Sequence, residues 1–270
     1  MQTRSLLSIA IVGIAIVIVA TALVFLDTAP KAPVPDRLYQ VSTIDALLQG
    51  VYDGTVTIGD LAKQGDHGTG TFDRLDGELT MIDGVVWQAR ADGTVVRASP
   101  DQTTPFAGVA RFRPDRNGAL PAFDNFSMME EALEQYTGSP NLFYMARVDG
   151  TFDYVRVRAA PAQTKPYPRL VDALAQQGIY DLRDVEGSIV GTCTPGYVDG
   201  VAIPGWHLHF ITNDRTRGGH ILDISTSGTT TASVDELDSF TVDLPAGTDF
   251  TKTNLSQNLS SDLRIVEKGR

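Results

Sequence analysis

The sequence predicts an α+β fold: two lobes of largely antiparallel or mixed β-sheet with a few covering helices, and a metal site on a β-hairpin of the C-terminal lobe. Three observations predict it. Asp-Gly pairs recur at 76–77, 83–84, 92–93 and 149–150, and such pairs suit tight turns between short alternating strands. Brief helical stretches with capping residues interrupt those strands instead of forming bundles. Beyond Tyr180 the apolar pattern keeps a period of two, which belongs to half-buried strands.

The chain opens differently. From Leu6 to Leu26 no charge interrupts the apolar run. At ~1.5 Å per residue a helix of that length crosses a ~30 Å hydrocarbon core. Residues 1–26 therefore read as a membrane anchor or signal segment. An uncleaved anchor is favoured, because the run continues past the small-residue site at Ala20 and Ala22. Arg4 before the run and Asp27 after it place the N-terminus in the cytoplasm and the body outside. Residues 27–37, rich in Pro and Ala, form an extended tether.

Residues 38–180 read as an N-terminal α+β lobe. "STIDALLQGVYDG" gives a short helix with Ser42 as N-cap and Asp45 at its third position. "TIGDLAKQGD" gives a second, ending near Gly65. A β-meander follows over "LDGELTMIDGVVWQARADGTVVRA". Ser127 and Glu130 form a capping box that opens the helix "MMEEALEQYTG". Asp149-Gly150 joins "NLFYMARV" to "TFDYVRVRA" as a hairpin, and "PYPRLVDALAQQG" is a helix capped by Gly178. Residues 181–270 form the C-terminal β-rich, metal-binding lobe.

Composition narrows the partners. A hydrophobic share of 42% with 20% charge is that of an ordinary globular chain. A formal net charge of -11 argues against nucleic acid and anionic lipid headgroups, leaving membrane contact to the N-terminal segment. The single cysteine, Cys193, excludes an internal disulfide and a cysteine-rich zinc finger, and reads as a small buried hydrophobe.

Three of the four histidines fall within "WHLHFITNDRTRGGHILD". Alternation puts His207, His209 and Ile211 on one strand face, and His220, Leu222 and Ile224 on one face of the next. A turn centred between Asp214 and Arg215 sets His209 opposite His220, with Cβ atoms ~5 Å apart. Three converging imidazoles suit a divalent ion with an open position. His67, in "GDHGTG", reads as a solvated loop residue. Hydrolysis, hydration and decarboxylation all use such a centre, so the metal alone does not name the reaction.

The stretches "YQVSTIDALLQGVYDG", "GDHGTGTFDRLDGEL", "NLFYMARVDGTFDYVRVRAAP" and "IPGWHLHFITNDRTRGGHILD" resemble the alpha-acetolactate decarboxylase family, in the family's order, over residues 39–268. The resemblance implies a zinc ion held by His207, His209 and His220. It implies catalytic roles for Glu78, Arg158 and Glu267, and substrate contacts from Thr71 and Arg158. The implied reaction converts (S)-2-acetolactate to (R)-acetoin and CO2 through a metal-stabilised enediolate. The apolar N-terminus adds an extracytoplasmic location, anchored or secreted, and a homodimer is the expected assembly. A zinc hydrolase of small esters or amides, and a non-catalytic anchored metal-binding domain, are the alternative readings.

Overall fold

The computed structural model describes residues 36–268. The expected anchor and nearly all of the tether lie outside the described residues. Among the described residues, no helix is long and apolar enough to cross a membrane. The described residues, 36–268, cluster as one compact unit.

The N-terminal elements are β1 (Arg37–Val41), α1 (Ile44–Leu48), β2 (Val56–Thr57), α2 (Ile58–Gln64), β3 (His67–Thr71), β4 (Glu78–Ile82), β5 (Val85–Ala89), β6 (Val95–Arg97), β7 (Thr103–Thr104) and β8 (Ala107–Ala110). Then come β9 (Arg116–Leu120), α3 (Phe126–Glu134), β10 (Phe143–Ala159), α4 (Leu170–Ala173) and β11 (Gly178–Thr194). The chain continues through β12 (Gly205–Thr212), β13 (Gly218–Ser225), β14 (Thr230–Leu237), β15 (Ser239–Asp243), α5 (Thr248–Lys252) and α6 (Ser260–Lys268).

The strands form an α+β architecture dominated by two sheets. One has seven strands in the order β15-β1-β8-β3-β4-β5-β6, the other six in the order β11-β12-β13-β10-β14-β9, and β2 pairs with β7. The sheets do not follow the expected halves of the chain. β10 and β11 pair antiparallel across the expected boundary at 180, and β15 from the far end lies parallel to β1. Long non-local pairings, rather than position along the chain, decide which sheet a strand joins.

The meander forms over β4, β5 and β6 as the sequence predicts, except that Asp76-Gly77 follows a 3-10 turn (Asp73–Leu75) in the link from β3 and is not itself a tight hairpin turn. β4 and β5 turn at Asp83 and Gly84, both with positive φ (51° and 74°), the backbone that a two-residue hairpin with right-handed twist requires. The hairpin reading at Asp149-Gly150 fails. Asp149 and Gly150 sit inside the continuous 17-residue β10. Gly150 is there for close approach: a Cβ would meet the Thr230 side chain at 2.5 Å. Asp149 accepts from the Ser188 hydroxyl at 2.6 Å instead of closing a turn. Helix starts shift too. Thr43, not Ser42, caps α1, accepting from the Ala46 amide. Asn125, rather than the Ser127 box, caps α3. The helix expected up to Gly178 shrinks to α4 and one 3-10 turn, and Gly178 already belongs to β11.

A core under the six-stranded sheet gathers Trp206, Leu208 and Phe210 of β12 with Phe152, Ile221 and Ile224. That set fixes the other face of β12 for the histidines.

Candidate metal centre and active site

The histidine hairpin forms in the predicted register: His209 lies opposite His220, and Ile211 opposite Gly218. β13 departs from strict alternation. Its pairing with β10 skips Leu222, between Arg156↔Asp223 and Val157↔Ile221. Ile221 and Ile224 therefore both enter the core, so Ile224 leaves the face on which alternation places it with His220. The same irregularity lands Arg158 directly across from His220. Arg158 is buried at 4% exposure, while Arg156 stays outside and pairs with Asp181.

His207, His209 and His220 are all buried, and one ligand atom from each lies within 4.8 Å of the others. Each ring has one nitrogen engaged. His207 Nδ1 is 2.7 Å from Glu267 Oε2, His209 Nδ1 is 3.4 Å from Thr80 Oγ1, and His220 Nε2 is 3.3 Å from the Glu267 carbonyl. His209 Nε2 and His220 Nδ1 are buried and have no hydrogen-bond partner. Orphaned imidazole nitrogens cost free energy unless something satisfies them. Burial first, then the charges of His207 and Arg158, holds His209 and His220 well below the usual imidazole range. Neutral rings with free lone pairs are the form that binds a metal. Three nitrogen donors without a thiolate fit a divalent ion of intermediate softness. The residues therefore fit a metal, and they could hold one.

The remaining predicted residues meet at the same place. Thr71 and Glu78 face each other across the β3–β4 pair, and the Thr71 hydroxyl donates to the Gly77 carbonyl at 2.7 Å. Gly77 in turn donates its amide to the Ala160 carbonyl at 3.0 Å, which ties the turn before Glu78 to the end of β10 beyond Arg158. Glu78 Oε2 stands 3.7 Å from His209 Nε2, and the carboxyl makes no hydrogen bond among the described residues. Glu267 arrives on α6. Leu259, Leu263 and Val266 have helical spacing and pack against Leu170 and Leu174 and against Ile44 and Leu47 of α1. The Arg169–Asp262 ion pair secures the same helix. A small pocket results, with Thr71, Glu78, Arg158, His207 and Glu267 as its polar lining, and Leu75, Phe106, Ile203 and Val266 among its apolar walls.

The two carboxyls differ. Burial raises Glu78 above the usual glutamate range, against the pull of Arg158 and His207. Burial also pushes Glu267 upward, but attraction to His207, their hydrogen bond and Arg158 outweigh it and leave it below that range. Of the two, Glu78 holds its proton to the higher pH.

Sequence reasoning misses two neighbours. Thr80, two residues after Glu78 on the same strand face, sits beside His209, and alternation from Glu78 could have found it. Gln177 Oε1 lies 3.5 Å from Arg158 Nη1, with no signal in the sequence. Two readings change. His67 is not a solvated loop residue; it opens β3 at 5% exposure. Cys193 is only partly buried against the core; burial, with Glu134 and Glu130 nearby, pushes its thiol up to about 12.

A family model described as alpha-acetolactate decarboxylase matches residues 38–257. An alpha-acetolactate decarboxylase of Methanosarcina mazei is 47% identical over 233 residues, covering 86% of this chain and 81% of that protein. One from Klebsiella aerogenes is 41% identical over 236 residues, covering 86% and 90%. The crystal structure of the Bacillus subtilis strain 168 alpha-acetolactate decarboxylase superposes with a TM-score of 0.83 at 36% identity, covering 87% of this chain and 100% of that one. Fold and site thus define an enzyme, and its class is that of the decarboxylases. The chain belongs to the alpha-acetolactate decarboxylase family.

Proposed function

We propose that this enzyme converts (S)-2-acetolactate to (R)-acetoin and CO2, with zinc at His207, His209 and His220. When bound there, zinc supplies Lewis-acid polarisation of adjacent ketone and hydroxyl oxygens. The protein's own groups do the rest. The Arg158 fork holds the substrate carboxylate and orients the bond that breaks. The Thr71 hydroxyl, its proton committed to Gly77, accepts a hydrogen bond from the substrate. The apolar wall around Leu75, Phe106 and Val266 takes the methyl groups and excludes water. Departure of CO2 leaves an enediolate, and Glu78 delivers a proton to its carbon from one face, which sets the chirality of acetoin. Glu267 stays ionised and orients His207 through Nδ1.

The observation that carries this reading is the contrast between the acids: the Glu78 carboxyl lines the pocket and makes no hydrogen bond among the described residues, whereas that of Glu267 is hydrogen-bonded to His207. Glu78→Gln should slow acetoin formation by about 10²–10⁴-fold, with the zinc content of the purified chain unchanged. Full activity in that variant would overturn the assignment. The apolar run from Leu6 to Leu26 supports an extracytoplasmic enzyme, anchored or secreted, and a homodimer is its proposed assembly.

A further inference from the structure

The fourth imidazole, that of His67, lies away from the pocket with its own oriented surroundings. β3 runs from His67 to Thr71, so His67 sits roughly 13 Å along the strand from the pocket residue Thr71. Asp66 Oδ1 is 2.9 Å from His67 Nδ1 and also accepts from the Phe112 amide at 2.9 Å. The Phe112 ring covers the imidazole with centroids 4.6 Å apart. Two donors hold this carboxylate in place, and it in turn fixes the proton of His67 on Nδ1. The Nε2 lone pair then faces Asp83 Oδ1 at 3.6 Å. His67 Nε2 is buried and has no hydrogen-bond partner.

Only a cation, a proton or a metal ion, satisfies Nε2 against that carboxylate oxygen, and 3.6 Å is too long for a hydrogen bond. Two ligands at ~2.1 Å from one ion, about 110–120° apart, stand roughly 3.5 Å from each other. A histidine whose other nitrogen is held by a carboxylate is also the usual metal-binding arrangement. The cleft that His67 lines adds Asp66, Asp83 and Asp149 against a single guanidinium, that of Arg147. Arg147 Nη1 is 3.0 Å from Asp83 Oδ1 and its Nε is 2.7 Å from Asp149 Oδ2.

We propose that His67 and Asp83 form a second site for a divalent transition-metal ion such as Zn²⁺, separate from the three-histidine centre. With only two protein ligands and Arg147 competing for Asp83, it is the weaker site and fills second.

Zinc titration of the full chain by equilibrium dialysis, with metal counted by mass spectrometry, tests this. The native chain should take up two ions in separable steps. His67→Ala and Asp83→Asn should each weaken the second step at least tenfold and leave the first. Asp83 has a φ of 51°, a backbone that asparagine tolerates, so Asp83→Asn keeps the turn even if His67→Ala perturbs folding. Arg147→Gln removes the competing cation and should tighten the second step severalfold. His207→Ala should abolish the first step and spare the second, so failure of one site is distinguishable from failure of the other. A native chain that binds one ion, a second step indifferent to both His67→Ala and Asp83→Asn, or no tightening in Arg147→Gln would overturn the proposal.

Discussion

Arg158 carries its charge into a nearly closed space: Nε has no partner, and Gln177 reaches only Nη1, at 3.5 Å. A guanidinium left that free can receive a carboxylate through two parallel N–H groups, which an ammonium cannot. Arg158→Lys should therefore lower kcat/KM for acetolactate by about 10–100-fold. Binding of acetoin, which lacks the carboxylate, should be unaffected. Steady-state kinetics with acetoin as a competing ligand reads both, and an equal loss for the two molecules would point to a collapsed pocket instead. The sequence pattern gave no reason to prefer Arg158 to Arg156, since both occupy one strand face by alternation; the family resemblance chose Arg158. What buries one and exposes the other is what lies over the strand: Arg158 lines the pocket walled by residues of α1, α4 and α6, while Arg156 pairs with Asp181, and such coverage leaves no mark on a periodicity. The histidines were legible because alternation and a symmetric turn are local rules, and β12 and the first residues of β13 obey both.

At the scale of elements, β12 depends on β11. Gly191 pairs with Leu208, and a Cβ on Gly191 would come within 2.0 Å of the His207 carbonyl. Both atoms belong to or adjoin paired backbone, so neither can swing away. Gly191→Ala should push β12 outward, costing about 1–3 kcal/mol of stability and weakening metal uptake together. Thermal melts with and without zinc measure both effects; a variant with a normal melting temperature and normal metal affinity would show that β11 does not position the histidines. Asp-Gly marks a real turn at 83–84 and none at 149–150, because glycine serves two needs that a sequence writes identically. One is a positive φ and the other is room for a neighbour.

In the whole molecule, Asp235 links the six-stranded sheet to the segment before β9. It is buried, accepts from the Arg113 amide at 2.8 Å, and is pushed up to about 7, first by burial and then by Asp115 and Asp36. The folded chain keeps a proton there that the unfolded chain gives up near pH 4. Stability from this group is thus present in acid and lost as pH rises toward 7. Asp235→Asn should raise the melting temperature at pH 8, by on the order of 1–2 kcal/mol or a few degrees, and change it little at pH 4. Calorimetry across that range checks it, and an equal shift at both pH values would refute the linkage.

The amino-acid sequence by itself determined the α+β class, the meander, the histidine hairpin with its register, and through resemblance the set of residues that share one pocket. Only the tertiary structure decided how the strands divide between two sheets, which side chain lies free and which is tied, and that His67 is buried beside Asp83. Periodicity and turn chemistry act over a few residues and are written in order along the chain. Sheet membership, burial and the partner of a charge depend on groups that can lie more than a hundred positions apart, and packing alone brings those together.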